Sequence, residues 1–483
     1  MNTASAASLT PALQSDGTQT LTEQLSAQLA QRIKQGLLAP GARLPSVREC
    51  AKRYAVSPFT VVAAYDRLQA LGLIEAQRGR GFYVRTVAVQ TQRSAASRPR
   101  PQRVDAGWLI RGMFNQLSEN LQPGSGMLPA AWLENPHVGP AMREAARTAP
   151  ERWLQYGDPK GLPELRDQLA RRCIEHGVPA TADTILTTNG ATHALDLVYR
   201  ALLHPGDTVL VESPGWFVEF ARYAEAGVQM LAVPRLINGP DLDVLEALAA
   251  KHKPKLFVCV AKLHNPTGSS MATSVAHRLL QIAAAHGFYV VEDDTYADFV
   301  EASSTVAATP RLAALDGLRQ VIYLSSFSKS LAPAWRCGYL TAAPALLERL
   351  TDLKLLSMLT TQPTGEMALH YVLSTGAYRR HMLRLTEHLQ RASARAIKLA
   401  EQHGCRFVIP PAQGLFGWVD TGVDSEKLAL ALLDDGWLIA PGALFYPQRS
   451  SEQHGSPYMR INYATSGDLK FWRSFAQVRD RLK

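Results

Sequence analysis

Lys329 closes the run Ser326-Phe327-Ser328-Lys329, directly after an apolar stretch, Val321 to Leu324, with Arg336 seven residues on. A lysine so placed can condense with an aldehyde, and the nearby hydroxyls and guanidinium can hold a dianion attached to it. By itself a lysine after a strand is far more often a solvated surface group; its neighbours reverse those odds. Asn265-Pro266-Thr267-Gly268 is a turn that can aim an amide at a phenolate oxygen. Asp293 and Tyr296 follow the apolar run Phe288 to Glu292. The acid can pair with a protonated pyridine nitrogen, which keeps such a ring a good electron acceptor, and the phenol can donate to the ring oxygen. Gly190-Ala191-Thr192 opens a helix after Ile185 to Thr188, where free N–H groups and a hydroxyl suit a phosphate.

Positioning these groups requires strands whose ends lie close together. Strands are expected at Thr208 to Glu212, Gln229 to Ala232, Leu256 to Val260, Phe288 to Glu292 and Val321 to Leu324, separated by helices such as Ala191 to Leu203, Asp243 to Ala250 and Ser274 to Ala285. That alternation predicts an α/β domain, preceded by a short helix over Trp108 to Leu117. Together the groups describe a pyridoxal-phosphate cradle. The constellation resembles the fold-type I aminotransferase family from about Asn120 to Tyr463. The resemblance implies that Lys329 forms the covalent imine to pyridoxal 5'-phosphate, Asp293 pairs with the ring nitrogen, and Asn265 and Tyr296 hold the ring hydroxyl. It places Ala191, Thr192, Ser326 and Arg336 at the phosphate, and Trp216 near the aromatic that stacks on the cofactor, although Phe217 is adjacent and core packing explains either ring as well. Arg460, in Met459-Arg460-Ile461-Asn462-Tyr463, matches the arginine that takes a substrate carboxylate, for which a bidentate guanidinium is suited. Tyr156 matches the tyrosine that reaches the partner subunit's phosphate, which implies a homodimer with shared sites. Gly124 to Pro129 resembles the segment that closes over substrate.

The first hundred residues are different in kind. Leu21, Leu25, Leu29, Ile33 and Leu37 recur every four residues, so a helix is expected over Thr22 to Gln35, ended by Gly36. Ser46 with Glu49 forms a capping-box pattern ahead of a helix from Val47 to Tyr54. Ser57-Pro58 starts a third helix that runs to about Ala70. The spacing is that of a helix-turn-helix, followed by short strands at Ile74 to Gln77 and Phe82 to Val84 around Arg78-Gly79-Arg80-Gly81. Arg78 and Arg80 can reach phosphate or minor-groove edges. This module resembles the GntR family of winged-helix regulators, which implies that Arg48, Ser57, Thr60 and Gly79 lie at double-stranded DNA. Pro58-Phe59 stands where many relatives place a polar or basic side chain. Phe59 then either touches a thymine methyl or packs beneath the helix start.

Charge divides along the same line. Of the 483 residues, 1–103 hold 14 Lys and Arg against 5 Asp and Glu, leaving 37 of each in the remainder, so the whole excess of +9 lies in the first module. A polyanion partner for that module fits this asymmetry. The expected organisation is a flexible terminus over 1–18, a winged helix over 19–85, a basic linker over 86–108 and the cofactor domain over 109–483. The five cysteines are far apart with no C-x-x-C pair, which points to reduced thiols and away from a metal site. Neither an export signal nor a membrane span is expected, and the cytoplasm is the expected compartment. A winged helix joined to a full aminotransferase-like domain resembles the MocR subfamily of bacterial regulators. That resemblance implies a DNA-binding regulator whose cofactor domain senses an amine, an amino acid or a B6 vitamer, with at most weak or half-reaction activity. The rival reading is a working aminotransferase with an attached DNA-binding module. A cofactor-free scaffold would leave so many cofactor-compatible groups without use.

Overall fold

The structure is a computed structural model that describes residues 20–35, 37–77, 80–85, 104–114, 122–134, 137–147, 154–301, 311–411, 414–447 and 456–483. The chain divides into two compact units, Met1–Arg100 and Pro101–Lys483.

In the first unit α1 (Leu21–Lys34), α2 (Val47–Tyr54) and α3 (Pro58–Ala70) precede an antiparallel hairpin of β1 (Ile74–Gln77) and β2 (Gly81–Val84). Each helix starts where a side chain accepts from its otherwise orphaned N–H groups: Thr20 and Ser46 form capping boxes with Glu23 and Glu49, and Ser57 Oγ accepts from Thr60 N at 3.0 Å. Leu25, Leu29, Leu44, Val61, Tyr65, Leu68 and Ile74 close a core of their own, within which Tyr65 Oη donates to the Pro45 carbonyl at 2.8 Å. Leu37 continues the four-residue spacing but lies beyond the helix end and is exposed.

The second unit opens with α4 (Ala106–Phe114), which begins two residues before the expected start because Asp105 Oδ1 accepts from Trp108 N at 2.6 Å. An eight-stranded sheet follows: β3 (Ile185–Asn189), β4 (Thr208–Ser213), β5 (Gln229–Leu236), β6 (Gly239–Pro240), β7 (Leu256–Cys259), β8 (Tyr289–Asp293), β9 (Val321–Ser326) and β10 (Cys337–Thr341), in the order β3-β10-β9-β8-β7-β4-β5-β6. β9, β8, β7, β4 and β5 are parallel, whereas β10 runs against both its neighbours. The central strands are buried almost throughout, as strands covered on both faces must be, which is why they read as continuous apolar runs. The long helix Ala377–Gln402 leads to a four-stranded antiparallel sheet of β11 (Arg406–Phe407), β12 (Phe416–Asp420), β13 (Ala440–Pro441) and β14 (Tyr458–Asn462), ordered β11-β12-β14-β13. The terminal helix Leu469–Leu482 buries Phe471, Trp472 and Phe475. Among the described residues no helix is long and apolar enough to cross a membrane.

Because the two units have separate cores, a lesion in one should leave the other standing. Ser46→Ala removes the α2 cap and should destabilise the winged helix by about 1 kcal/mol. Denaturant unfolding followed by probes in each unit should show the loss in the first unit's transition alone; an equal shift in both would contradict independent cores.

Candidate functional site

The carboxyl ends of the parallel strands leave a crevice, as in other open α/β sheets. β9 ends at Ser326, and the turn after it presents Lys329, whose Nζ donates to the Gly126 carbonyl at 2.9 Å and lies 3.7 Å from Met127 Sδ. Burial, then the charges of Arg460 and Arg336, press this ammonium down to about 8 against the opposing pull of Asp293. Roughly one such amine in ten is free base at pH 7, against roughly one in a few thousand for an ordinary lysine. The fold therefore makes Lys329 nucleophilic.

Asp293 closes β8. Thr295 donates to its Oδ1 twice, from the backbone N at 3.0 Å and from Oγ1 at 2.6 Å, which leaves Oδ2 for a partner. Burial pushes this carboxyl up to about 6, although Thr295 and Lys329 favour its charged form. Tyr296 is buried edge-on to Phe416, 5.4 Å between centroids, and its phenol is hydrogen-bonded to Asn265 and raised above the ordinary range by burial.

Arg460 sits in the middle of β14, 2 % exposed, its guanidinium carbon 4.6 Å and 5.1 Å from the ring centroids of Phe416 and Phe445. Nη1 donates to Asn265 Oδ1 at 2.8 Å and Nη2 to the Gly124 carbonyl at 2.6 Å; Nε is buried with no partner among the described residues. Burial lowers even this guanidinium, to about 10. With Oδ1 of Asn265 taken by Arg460, its amide nitrogen meets the Tyr296 phenol, and its second N–H remains for a ring oxygen.

At the other end of the crevice the helix Gly190–Leu202 starts with Ala191 half-buried and Thr192 exposed in its first turn. Arg336 donates to the Asn189 carbonyl at 2.9 Å and to Ser328 Oγ at 3.1 Å, and Ser326 Oγ is 3.1 Å from Ser328 Oγ. Gly190 has a φ of +74°, and a Cβ there would lie 2.6 Å from Arg336 Nη2. Glycine thus admits the guanidinium to the helix start. Trp216 is half-buried and shares a small cavity with Asp293, while Phe217 turns into the core, edge-on to Phe445 at 5.4 Å. Tyr156 stands 80 % exposed on the single chain.

The segment Gly124 to Pro129, which resembles one that closes over substrate, meets Lys329 and Arg460 through the carbonyls of Gly126 and Gly124; the residue that fixes it, Asn462, was not read from the sequence. Asn462 Nδ2 donates to the carbonyls of Ser125 (3.0 Å) and Met127 (2.7 Å), fixing Gly124 and Gly126 over Lys329 and Arg460. The signal was present: residues two apart on a strand share a face, so Asn462 had to point where Arg460 does. Thr295, between Asp293 and Tyr296, was missed in the same way. A cleft of about 730 Å³ opens beside this loop, lined by Met127, Leu128, Leu133, Leu331 and Trp335 among others.

In the first unit Phe59 is 82 % exposed, so it does not pack beneath the start of α3. Ser57 Oγ and Thr60 Oγ1 are 2.8 Å apart across the cap, and Arg48 and Arg80 are exposed. Arg78 and Gly79 lie outside the described residues.

Residues 118–470 match the family of aminotransferases of class I and II, and residues 21–84 match the bacterial regulatory proteins of the gntR family. The chain belongs to the MocR type of GntR-family transcriptional regulators. The HTH-type transcriptional regulator YjiR of Escherichia coli is 30 % identical over 88 % of this chain and 91 % of its own length. TauR of Rhodobacter capsulatus, also an HTH-type transcriptional regulator, is 27 % identical over 95 % and 96 %. The fold of the large unit is that of LysN, an alpha-aminoadipate aminotransferase of Thermus thermophilus solved with N-(5'-phosphopyridoxyl)-L-leucine, with a TM-score of 0.69 and 26 % identity over 79 % of this chain and 96 % of that one. The cofactor of this regulator is pyridoxal 5'-phosphate and its macromolecular partner is DNA.

The residues present fit that cofactor. The crevice offers a depressed lysine amine for the aldehyde, a carboxylate oxygen left open by Thr295 for the ring nitrogen, amide and phenol groups for the ring hydroxyl, and a helix start with Arg336 for the phosphate. Among the described residues no cluster of His, Cys, Asp or Glu is arranged to hold a metal ion.

Lys329→Ala should abolish borohydride-fixable attachment of pyridoxal 5'-phosphate, read by mass, with only reversible binding left. In the unmodified chain, attachment should speed up as pH rises from 7 to 9, because the free amine accumulates through a pKa near 8. A rate flat across that interval would contradict the depressed amine.

Proposed function

We propose that the large unit senses a small amine, an amino acid or a B6 vitamer, and that occupancy of its cofactor site alters how the winged helix engages operator DNA. One observation carries this reading. A Cβ placed on Gly126 would lie 3.7 Å from Lys329 Nζ and 3.8 Å from Arg460 Nη2, so amine-reactive and carboxylate-binding groups flank one point. An α-amino acid carries an amine and a carboxylate on one carbon, and the cleft beside Met127 has room for its side chain.

In this reading Lys329, Asp293 and Tyr296 carry the chemistry. Asn265, Ala191, Thr192, Trp216, Ser326 and Arg336 complete the cofactor site, and Arg460 receives a carboxylate. Leu154 and Tyr156 are 87 % and 80 % exposed, an apolar pair that a second copy would cover, which supports a homodimer in which Tyr156 serves the partner's phosphate. Arg48, Ser57, Phe59, Thr60, Arg78, Gly79 and Arg80 form the DNA surface, the arginines binding phosphate. The proposed limits are 19–85 for the winged helix, 86–108 for the linker, whose last residues already belong to α4 of the second unit, and 109–483 for the cofactor domain, in a cytoplasmic protein.

The test is operator titration of the cofactor-loaded protein at fixed salt with a panel of amino acids, amines and free pyridoxal 5'-phosphate, beside a transamination assay on the same panel. At least one ligand should change operator affinity about 5- to 150-fold and should bind the operator complex more tightly or weakly by the same factor. Repeated turnover with a keto acid, and no ligand effect on DNA, would replace the sensor with the enzyme. Separately, Arg48→Ala should weaken binding to all DNA alike and reduce the salt slope by about 1. A loss confined to one base position, with the slope intact, would make Arg48 a reader of sequence instead.

A further inference from the structure

The helix Phe217–Glu225 starts one residue after Trp216, which sets its first turn, with Glu219, against the carboxyl ends of β4, β7 and β8. Glu219 is 8 % exposed, and it shares one small cavity with Trp216, Phe220, His264 and Asp293. Its side chain accepts one hydrogen bond, from Tyr223 Oη at 3.4 Å. The basic groups near it are turned to other carboxylates: Arg222 to Asp196 at 3.9 Å, and Arg235 and the His264 ring to Glu212. Among the described residues nothing forms an ion pair with Glu219. A carboxylate removed from water without a counter-ion is far costlier than its protonated form, so this side chain keeps its proton.

We propose that Glu219 is a positioning residue of the cofactor site, a neutral carboxylic acid behind Asp293 that holds the pair to a single negative charge and reserves that charge for the ring nitrogen. This role rests on the assignment of Asp293 to that nitrogen. Two carboxyls in one low-dielectric cavity do not both ionise readily, and the one with better support takes the charge. Asp293 has two donations from Thr295 and the nearby Lys329, whereas Glu219 has only Tyr223. Burial and then the Asp293 charge push Glu219 up to about 8; Arg222 and the Tyr223 hydroxyl draw it down, and Glu212 adds to the rise. His264 and the Cys259 thiol complete the titratable lining from the β7 side, the first lowered and the second raised by burial. Near neutral pH the pair therefore carries one negative charge on Asp293, and as pH rises through about 8 it gains a second.

Glu219→Gln keeps the shape and the hydrogen-bonding carbonyl but cannot ionise, which separates charge from packing. Infrared difference spectra between the unmodified chain and Glu219→Gln, cofactor-free and loaded, should show the carbonyl stretch of a protonated carboxyl at pH 6 to 7 that fades by about pH 9. In the loaded protein the second negative charge should hold the bound cofactor's protonated, yellow form to higher pH. The midpoint of its colour change should then fall in Glu219→Gln by on the order of one pH unit, and Glu219→Asp should recover part of the shift. If Glu219→Gln binds cofactor and gives the same carboxyl band and the same midpoint as the unmodified chain, this role is refuted while the cofactor site stands. If neither protein takes up pyridoxal 5'-phosphate at all, the site assignment fails and this role with it.

Discussion

A guanidinium buried between two aromatic rings must find hydrogen-bond acceptors inside the protein, and Arg460 finds them on two separate stretches of chain. One is the Asn265 side chain, beyond β7 of the large sheet; the other is the Gly124 carbonyl, on the loop that covers the crevice. β14, which carries Arg460, belongs to the small sheet. A single side chain therefore ties two sheets and a covering loop to one point. Leaving a buried charge without partners costs roughly 3 to 5 kcal/mol, so the three segments are held in register by a demand that each meets only in the folded chain. Lys329 inherits its position from the same tie, because the Gly126 carbonyl that accepts its ammonium sits on the loop that Arg460 and Asn462 hold down.

Strand alternation then decides which acids face the crevice. Glu292, Asp293 and Asp294 are consecutive, but only Asp293 turns toward the site. Glu292 accepts from the N–H groups of Leu312 and Ala313, both at 2.9 Å, at the start of the helix Leu312–Asp316. Asp294 pairs with Arg311 at 2.5 Å and accepts from Tyr323 Oη at 2.8 Å. Both flanking carboxyls are spent on holding the chain, and only the middle one faces the crevice. Glu212 at the end of β4 is likewise taken by Arg235, His264 and the Val260 N–H. Most buried carboxylates around the crevice are structural, which gives the open Oδ2 of Asp293 its meaning.

What the sequence made legible is what is local. The helices of the winged unit follow from caps and four-residue spacing, and β4, β7, β8 and β9 follow from apolar runs, because a strand covered on both faces needs no pairing partner to be recognised. Lys329, Asp293 and Asn265 could be read because each closes or follows such a run. β10 went unread because an antiparallel strand inserted between two parallel ones is a matter of topology, and β12 and β14 went unread because their pairing spans some forty residues. The carbonyls of Gly124 and Gly126 were illegible for a different reason: they act through backbone, and no residue type announces a carbonyl. Leu263 and Arg336, both at a φ of +52°, are of the same kind. A bulky residue held in the left-handed region costs about 1 to 3 kcal/mol and persists only where the surroundings insist on it; both lie on turns that form this site.

The two cores bear on how such a protein can be regulated. The winged unit buries its own leucines, valines and Tyr65, and its helices are capped from within, so its folding does not wait on the cofactor. A ligand in the large unit therefore has no folding energy of the DNA-binding unit to draw on. It can act only through its own differential affinity for two arrangements of the protein, and one that binds both equally shifts nothing, however tight it is. Under the proposed reading, groups that grip amine and carboxylate at opposite ends would meet that requirement better than a merely sticky pocket, because the same side chains hold the loop from Gly124 to Met127. That loop is held by backbone carbonyls on the very side chains a ligand would claim, so ligand and loop compete for the same donors. In that reading, competition of that kind would give an arriving carboxylate a structural consequence beyond its own binding, one that begins at Arg460.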